Sequence, residues 1–143
     1  MLELRRMGSP LQFSMPVRVY YEDTDAGGIV YHATYLRWME RVRTEWLRAC
    51  GVSHAALAES DLQCVVSALS IRYLAPARLD ELLEVELELG TLRRASLVLT
   101  QRVRRSEDTL LLADASVRVA VLHRSTGRPA ALPDALIERL RES

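Results

Sequence analysis

Cysteine is scarce in this sequence: Cys50 and Cys64 are the two in 143 residues. A disulfide scaffold of this length normally carries more, so reduced, buried thiols are expected. Charge bias is lacking as well. Lys plus Arg and Asp plus Glu number 19 each, which gives no general pull toward nucleic acid or a membrane surface. No apolar run is long enough to span a bilayer, and Met1 to Met15 lacks the continuous apolar stretch of a signal peptide. The expectation is a cytoplasmic protein without an integral membrane segment, whose contact with the inner membrane would be peripheral. There is no Gly-x-Ser-x-Gly elbow, which disfavours a serine hydrolase of that type. His32, His54 and His123 lie far apart without ligand spacing, so no metal is expected. Internal repeats and low-complexity tracts are also missing.

What is there suits one domain. Apolar residues make up 49% of the chain, enough for a single core. Met1 to Met15 shows no clear period and reads as a loose arm, too short for a DNA-binding unit. The folded domain is expected over residues 16–143. Val17 to Glu22 is rich in strand formers and follows Pro16. Ala33 to Cys50 has helical spacing, with Tyr35, Met39, Val42, Trp46 and Ala49 on one face. Trp38 and Trp46 read as core. Gly51 is a natural stop. Ser53 to Glu59 suits one or two helical turns. Arg43 falls inside the apolar stripe, where a pair with Glu40 would explain it.

Four strand-like runs follow: Gln63 to Leu74, Leu82 to Leu89, Ala95 to Arg104 and Leu110 to Leu122. The second alternates Leu83, Val85, Leu87 and Leu89 with Glu84, Glu86 and Glu88, the mark of a strand with one wet face. A turn at Thr126 to Pro129 and a short helix at Pro133 to Arg141 complete the chain. Successive strands are expected to be antiparallel neighbours. One long apolar helix against them makes an α+β domain, a five-stranded antiparallel sheet wrapped around a central helix. Its open edges call for dimerisation.

The segment Tyr20-Tyr21-Glu22-Asp23-Thr24-Asp25-Ala26-Gly27-Gly28 leads into the buried helix through Ile29 to His32. A helix start presents free N–H groups and partial positive charge, which suits a carbonyl oxygen gaining charge. An acid beside it can attack that carbonyl or activate a water. Spacing alone leaves a second reading, in which Asp23, Thr24 and Asp25 are turn and capping residues.

The run YYEDTDAGGIVYHATYL, followed by ERVRTEWLR, resembles the hotdog-fold acyl-CoA thioesterases of the 4-hydroxybenzoyl-CoA thioesterase superfamily. It is especially similar to the YbgC-like, Tol-Pal-associated branch. The likeness continues through Tyr73 to Leu82, Ser96 to Arg102 and Arg128 to Pro133. The resemblance implies that Asp25 is the catalytic nucleophile or general base, and that the backbone N–H of His32 polarises the thioester carbonyl. It implies that the His32 side chain and Tyr21 line the site, while Asp23 belongs to the motif without being its main catalyst. Thr34 stands where many relatives carry Asn or Ser. The Gly27-Gly28 pair lets a substrate approach the backbone, which makes Gly28 a candidate at the substrate, and the Arg93-Arg94-Ser96 turn, by composition a solvated turn, is implied by the resemblance at the CoA phosphates, across a dimer. Arg128 is a further candidate there.

No cofactor is implied, since CoA is part of the substrate. The implied assembly is a homodimer or homotetramer. A dehydratase on the same fold would show a His-Phe-Pro-Gly segment, which is missing. A non-enzymatic role remains the alternative, as an acyl-thioester or acyl-carrier-protein scaffold linked to envelope or phospholipid metabolism.

Overall fold

The alternation at Leu83 to Leu89 builds the middle of the sheet. In a computed structural model describing residues 12–141, Leu83, Val85 and Leu87 are buried while Glu84, Glu86 and Glu88 are half-exposed. The elements run β1 (Gln12–Arg18), α1 (His32–Ala49), α2 (His54–Glu59), β2 (Leu62–Tyr73), β3 (Leu82–Leu92), β4 (Ser96–Arg105), β5 (Leu111–His123) and α3 (Asp134–Arg141). The five strands form one antiparallel sheet in the order β1-β3-β4-β5-β2. The long helix α1 packs its apolar face on the inner surface, as expected for an α+β hotdog architecture. Trp38 and Trp46 are each 1% exposed, in the core where the helical wheel puts them.

Three expectations need correction. The first strand lies at Gln12–Arg18, earlier than Val17 to Glu22. Gln12 to Met15 are therefore strand rather than arm; residues 1–11 of that arm lie outside the described residues. Pro16 sits within the strand, opposite Glu84. It is tolerated because β1 is an edge, where a missing N–H breaks no inner ladder. Tyr21–Asp23 then turn as a short 3-10 helix, because the Asp23 carboxylate accepts the Tyr20 N–H at 2.8 Å. This local bond overrides the strand preference of the two tyrosines.

The second correction concerns neighbours. β3, β4 and β5 pair in succession, but β2 pairs with β5 at the far edge. Residues 74–81 must therefore cross from one side of the sheet to the other, and they pass the start of α1. On β2, Val66, Leu69 and Tyr73 share the inner face with the buried Val119, Val117 and Ala113 opposite them. They are nevertheless 46%, 37% and 44% exposed, so α1 covers the middle of the sheet and leaves this edge bare.

Arg43 is the third. Its guanidinium donates to the Gln101 side chain at 2.9 Å, rather than making the expected ion pair with Glu40. Gln101 is fully buried and donates in turn to the Met39 carbonyl at 3.0 Å. Burial pulls the Arg43 pKa down, and Glu40 opposes this only through space. Gln101→Leu leaves this guanidinium without its acceptor, so a loss of about 2 kcal/mol is expected in urea unfolding. The double variant Arg43→Met/Gln101→Leu should recover most of it, because replacing both partners leaves nothing unpaired.

Candidate active site

The acid-glycine segment folds as a small hairpin. Thr24 pairs with Val30, the Asp25 N–H donates to Ile29 O at 2.9 Å, and the Gly28 N–H donates to Asp25 O at 3.1 Å. This is a tight turn closed by a residue of positive φ, and Gly28 takes that place at +78°. An added Cβ at Gly28 would meet nothing within 4 Å, so the cost of a side chain there is conformational and the space beside it is free for a substrate. Gly28→Asn is expected to be tolerated in thermal unfolding. Gly28→Val should cost about 1–2 kcal/mol, because a β-branched residue resists the left-handed region.

Asp25 is exposed at the first corner of the turn. One carboxylate oxygen accepts the Gly27 N–H at 2.8 Å, which fixes the side chain. The other oxygen has no partner among the described residues. A Cβ on Gly27 would come within 3.3 Å of the bonded oxygen, so glycine there keeps the carboxylate uncrowded.

The hairpin is tied down on two sides. The Tyr31 N–H donates to Asp23 O at 2.9 Å, and the Val30 N–H donates to Ala77 O at 2.9 Å. Ile29 also bridges Arg78. The crossing segment 74–81 therefore anchors the loop, and Asp23 acts as a structural brace through both its carboxylate and its carbonyl. Thr24 lies opposite Val30, two residues short of the helix, so Asp25 stands within a few residues' length of the start of α1.

That helix start is open. Its N-cap, Tyr31, supplies no side-chain hydrogen bond. Helix α2 differs: Ser53 Oγ accepts the Ala56 N–H at 3.1 Å. The His32 and Ala33 N–H groups therefore have no helical acceptor and can serve one from outside. Next to them opens a cleft of about 300 Å³, lined by Ile29, Val30, His32, Tyr35, Tyr73 and Pro76 among others.

Aromatic rings shape this cleft. The His32 ring lies 4.5 Å from the Tyr31 ring and 6.3 Å, edge-on, from that of Tyr73. The Tyr73 hydroxyl donates to the His32 carbonyl at 2.8 Å. Tyr35 meets Tyr73 edge-on at 5.3 Å, and its hydroxyl accepts the Ala77 N–H at 3.1 Å. Desolvation raises the pKa of both tyrosines, so both hydroxyls keep their protons at neutral pH. Tyr73 and Tyr35 are the residues that spacing arguments miss. Their partners are 41 and 42 positions away, and no local pattern announces such contacts.

The remaining candidates fall in different places. Tyr21 lies on the 3-10 turn, 82% exposed and outside the aromatic group around His32. Arg93, Arg94 and Ser96 form the β3–β4 hairpin, where the Arg93 N–H donates to Ser96 O at 2.8 Å and both arginines are exposed. β3 starts beside the Asp25 loop and runs 11 residues to this hairpin, about 35 Å of strand. Within one chain the basic turn and Asp25 are therefore at opposite ends of the sheet. Arg128 lies in the following turn, its N–H bonded to Thr126 Oγ1 at 3.2 Å. The cysteines are both free, Cys50 buried and Cys64 half-buried, and burial raises the Cys50 pKa to about 11. Among the described residues no three His, Cys, Asp or Glu side chains come together, and no helix is long and apolar enough to cross a membrane.

Comparison with known proteins points in the same direction. The family model described as Thioesterase superfamily matches residues 27–112. The acyl-CoA thioester hydrolase YbgC of Escherichia coli O157:H7 is 45% identical over 130 residues, covering 91% of this chain and 96% of that one. The acyl-CoA thioesterase YbgC of Haemophilus influenzae is 48% identical over 122 residues, covering 85% and 88%. The crystal structure of a probable thioesterase from Bartonella henselae matches with a TM-score of 0.79 at 35% identity, covering 85% of this chain and 99% of that one. With its matched segment running from the glycine turn through α1 into β5, the chain belongs to the thioesterase superfamily, a family of thioester hydrolases, and carries the hotdog fold.

Proposed function

We propose that this chain hydrolyses an acyl-CoA to the free acid and CoA, using Asp25 and the open start of α1. The observation that carries the reading is the pairing of a braced carboxylate with an uncapped helix N-terminus beside an apolar cleft. The near relatives named as acyl-CoA thioester hydrolases support the same substrate class. In this reading the thioester carbonyl oxygen takes the His32 N–H, where the helix dipole stabilises negative charge. The free oxygen of Asp25 then removes a proton from water, and the resulting hydroxide attacks the carbonyl carbon. Collapse of the tetrahedral intermediate breaks the C–S bond and releases the CoA thiolate, which takes up a proton. In the alternative route Asp25 itself attacks, giving a mixed anhydride that water cleaves. Single-turnover hydrolysis in ¹⁸O-water tests the second route: label in the Asp25 carboxylate marks an anhydride opened at the Asp25 carbonyl, and where label enters only the product acid, rapid-quench detection of an acylated enzyme separates an anhydride opened at the acyl carbonyl from the base route.

The same reading calls for two copies. The edge β2 offers unpaired backbone and the exposed side chains of Val66, Leu69 and Tyr73. Antiparallel pairing of two β2 edges reverses the ends of the sheet. The Arg93-Arg94-Ser96 hairpin of one copy then comes to the Asp25 end of the other, where two guanidinium groups suit the phosphates of CoA. Tyr21, largely exposed in the single chain, stands on the same loop and would meet substrate or the second copy there. Steady-state hydrolysis across short, long and aromatic acyl-CoAs is the direct test. Absence of turnover on every member of the panel would overturn the proposal.

A further inference from the structure

The first turn of α1 has backbone N–H groups that the helix itself cannot use. Two of them are taken: the Tyr31 N–H donates to Asp23 O and the Thr34 N–H to Tyr31 O, each at 2.9 Å. Among the described residues the His32 and Ala33 N–H groups have no acceptor, and they lie beside the cleft that His32 lines. Behind this pair, one carbonyl is held from outside the helix. As the first residue of α1, His32 already offers its carbonyl to the helical ladder. A carbonyl oxygen can accept two donors. Here the second is the Tyr73 hydroxyl at 2.8 Å, reaching in from the end of β2, 41 positions away.

The His32 carbonyl and the Ala33 N–H belong to one planar peptide unit and point in opposite directions. A donor on the oxygen draws electron density from the nitrogen and strengthens the N–H as a donor, by roughly 10–30% for each bond in such a chain. Stability gives little reason for this bond. Tyr73 is 44% exposed, and a neutral hydrogen bond that water can replace adds little to folding. The ring is held without it, edge-on to Tyr35 at 5.3 Å and to His32 at 6.3 Å. Desolvation raises the Tyr73 pKa, so the hydroxyl stays a donor across the neutral range.

We propose that Tyr73 is a positioning residue: its hydroxyl polarises the His32–Ala33 peptide, so that the Ala33 N–H joins that of His32 on the thioester carbonyl oxygen. The inference rests on the thioesterase reading and deepens it. With its hydroxyl engaged on the His32 carbonyl, Tyr73 acts through the peptide rather than on the substrate. Negative charge on the carbonyl oxygen grows toward the tetrahedral intermediate. A strengthened amide therefore counts more in the transition state than in the bound substrate, and its loss should appear in the rate of cleavage rather than in binding.

Tyr73→Phe keeps the ring and removes the donor. The single-turnover rate at saturating acyl-CoA is expected to fall about tenfold, part of the 10²–10³ lost with a whole oxyanion donor. Half-saturation should stay within twofold, and thermal unfolding and oligomeric state should match the wild type. Tyr73→3-fluorotyrosine, assayed at mildly acidic pH where the phenol keeps its proton, presents a stronger donor and should restore the wild-type rate or exceed it. A second readout needs no turnover. In Asp25→Asn, butyryl-CoA and benzoyl-CoA labelled with ¹³C at the carbonyl should show that band moved to lower frequency on binding, in difference infrared spectra. Adding Tyr73→Phe should shrink the displacement by roughly a third or more.

An unchanged single-turnover rate in Tyr73→Phe, or a band displacement that is absent or equal with and without the hydroxyl, overturns the inference and leaves the hydrolase reading standing. A loss carried wholly by weaker binding overturns it too, and makes Tyr73 a wall of the cleft. A displacement that depends on Tyr73, in a chain whose wild type hydrolyses nothing, supports the polarised amide and overturns the hydrolase reading instead.

Discussion

Asp25→Asn is expected to lower kcat for acyl-CoA hydrolysis by about a thousandfold, the range removed with a positioned general base or nucleophile. Asparagine keeps the shape of the side chain and an oxygen to accept the Gly27 N–H, a bond of 2.8 Å in the native chain. The turn should therefore stand, and thermal unfolding and oligomeric state should match the wild type. What is lost is a carboxylate able to take a proton from water or to attack carbon. Asp23→Asn provides the contrast. Asp23 holds the Tyr20 N–H and, through its carbonyl, the Tyr31 N–H. Its substitution is expected to cost tenfold or less, through a looser loop, because the charge at Asp23 does no chemistry in the proposed reaction. Full activity in Asp25→Asn, measured on the acyl-CoA that the wild type turns over best, would remove Asp25 from the mechanism.

The second large effect is expected at the bare sheet edge. Leu69→Glu places a charge on the inner face of β2, directly opposite Val117. In the single chain this position is 37% exposed, so the substitution should leave monomer unfolding within about 1 kcal/mol of wild type. In a pair of β2 edges the same charge is desolvated without a partner, at a cost of several kcal/mol per copy. Sedimentation should then show a monomer, and hydrolysis should fall at least a hundredfold, because the basic hairpin and Asp25 sit at opposite ends of one chain. A monomeric variant with undiminished turnover would show that a single copy holds the whole site. A variant that remains dimeric would place the interface elsewhere.

These expectations draw unequally on sequence. Alternation of leucine and glutamate over Leu83 to Leu89 is visible to the eye, and β3 follows it because strand faces repeat every two residues. The apolar stripe from Tyr35 to Ala49 predicts α1 to within a residue, since its spacing reports burial directly. The edge strand β1 was less legible. Its inward residues Phe13 and Met15 are few, and Pro16 reads as a boundary when it is an interior edge residue. Gln101 falls on the inward face of β4 among leucines and valines, where alternation alone would call for an apolar residue. Only the position of Arg43 on the facing helix explains it.

By itself, then, the sequence determined the α+β class, the placing of a glycine turn between an acid and a helix start, and the family that this motif marks. Each depends on residues close together in the chain, whose periodicity and turn chemistry act locally. Tertiary structure alone decided that β2 leaves its neighbours for the far edge, and that residues 74–81 return across the start of α1 to anchor the loop through Ala77. It also decided that Tyr73 holds the His32 carbonyl. These are contacts between segments tens of residues apart. They follow from how one sheet closes over one helix, which no short stretch of sequence encodes.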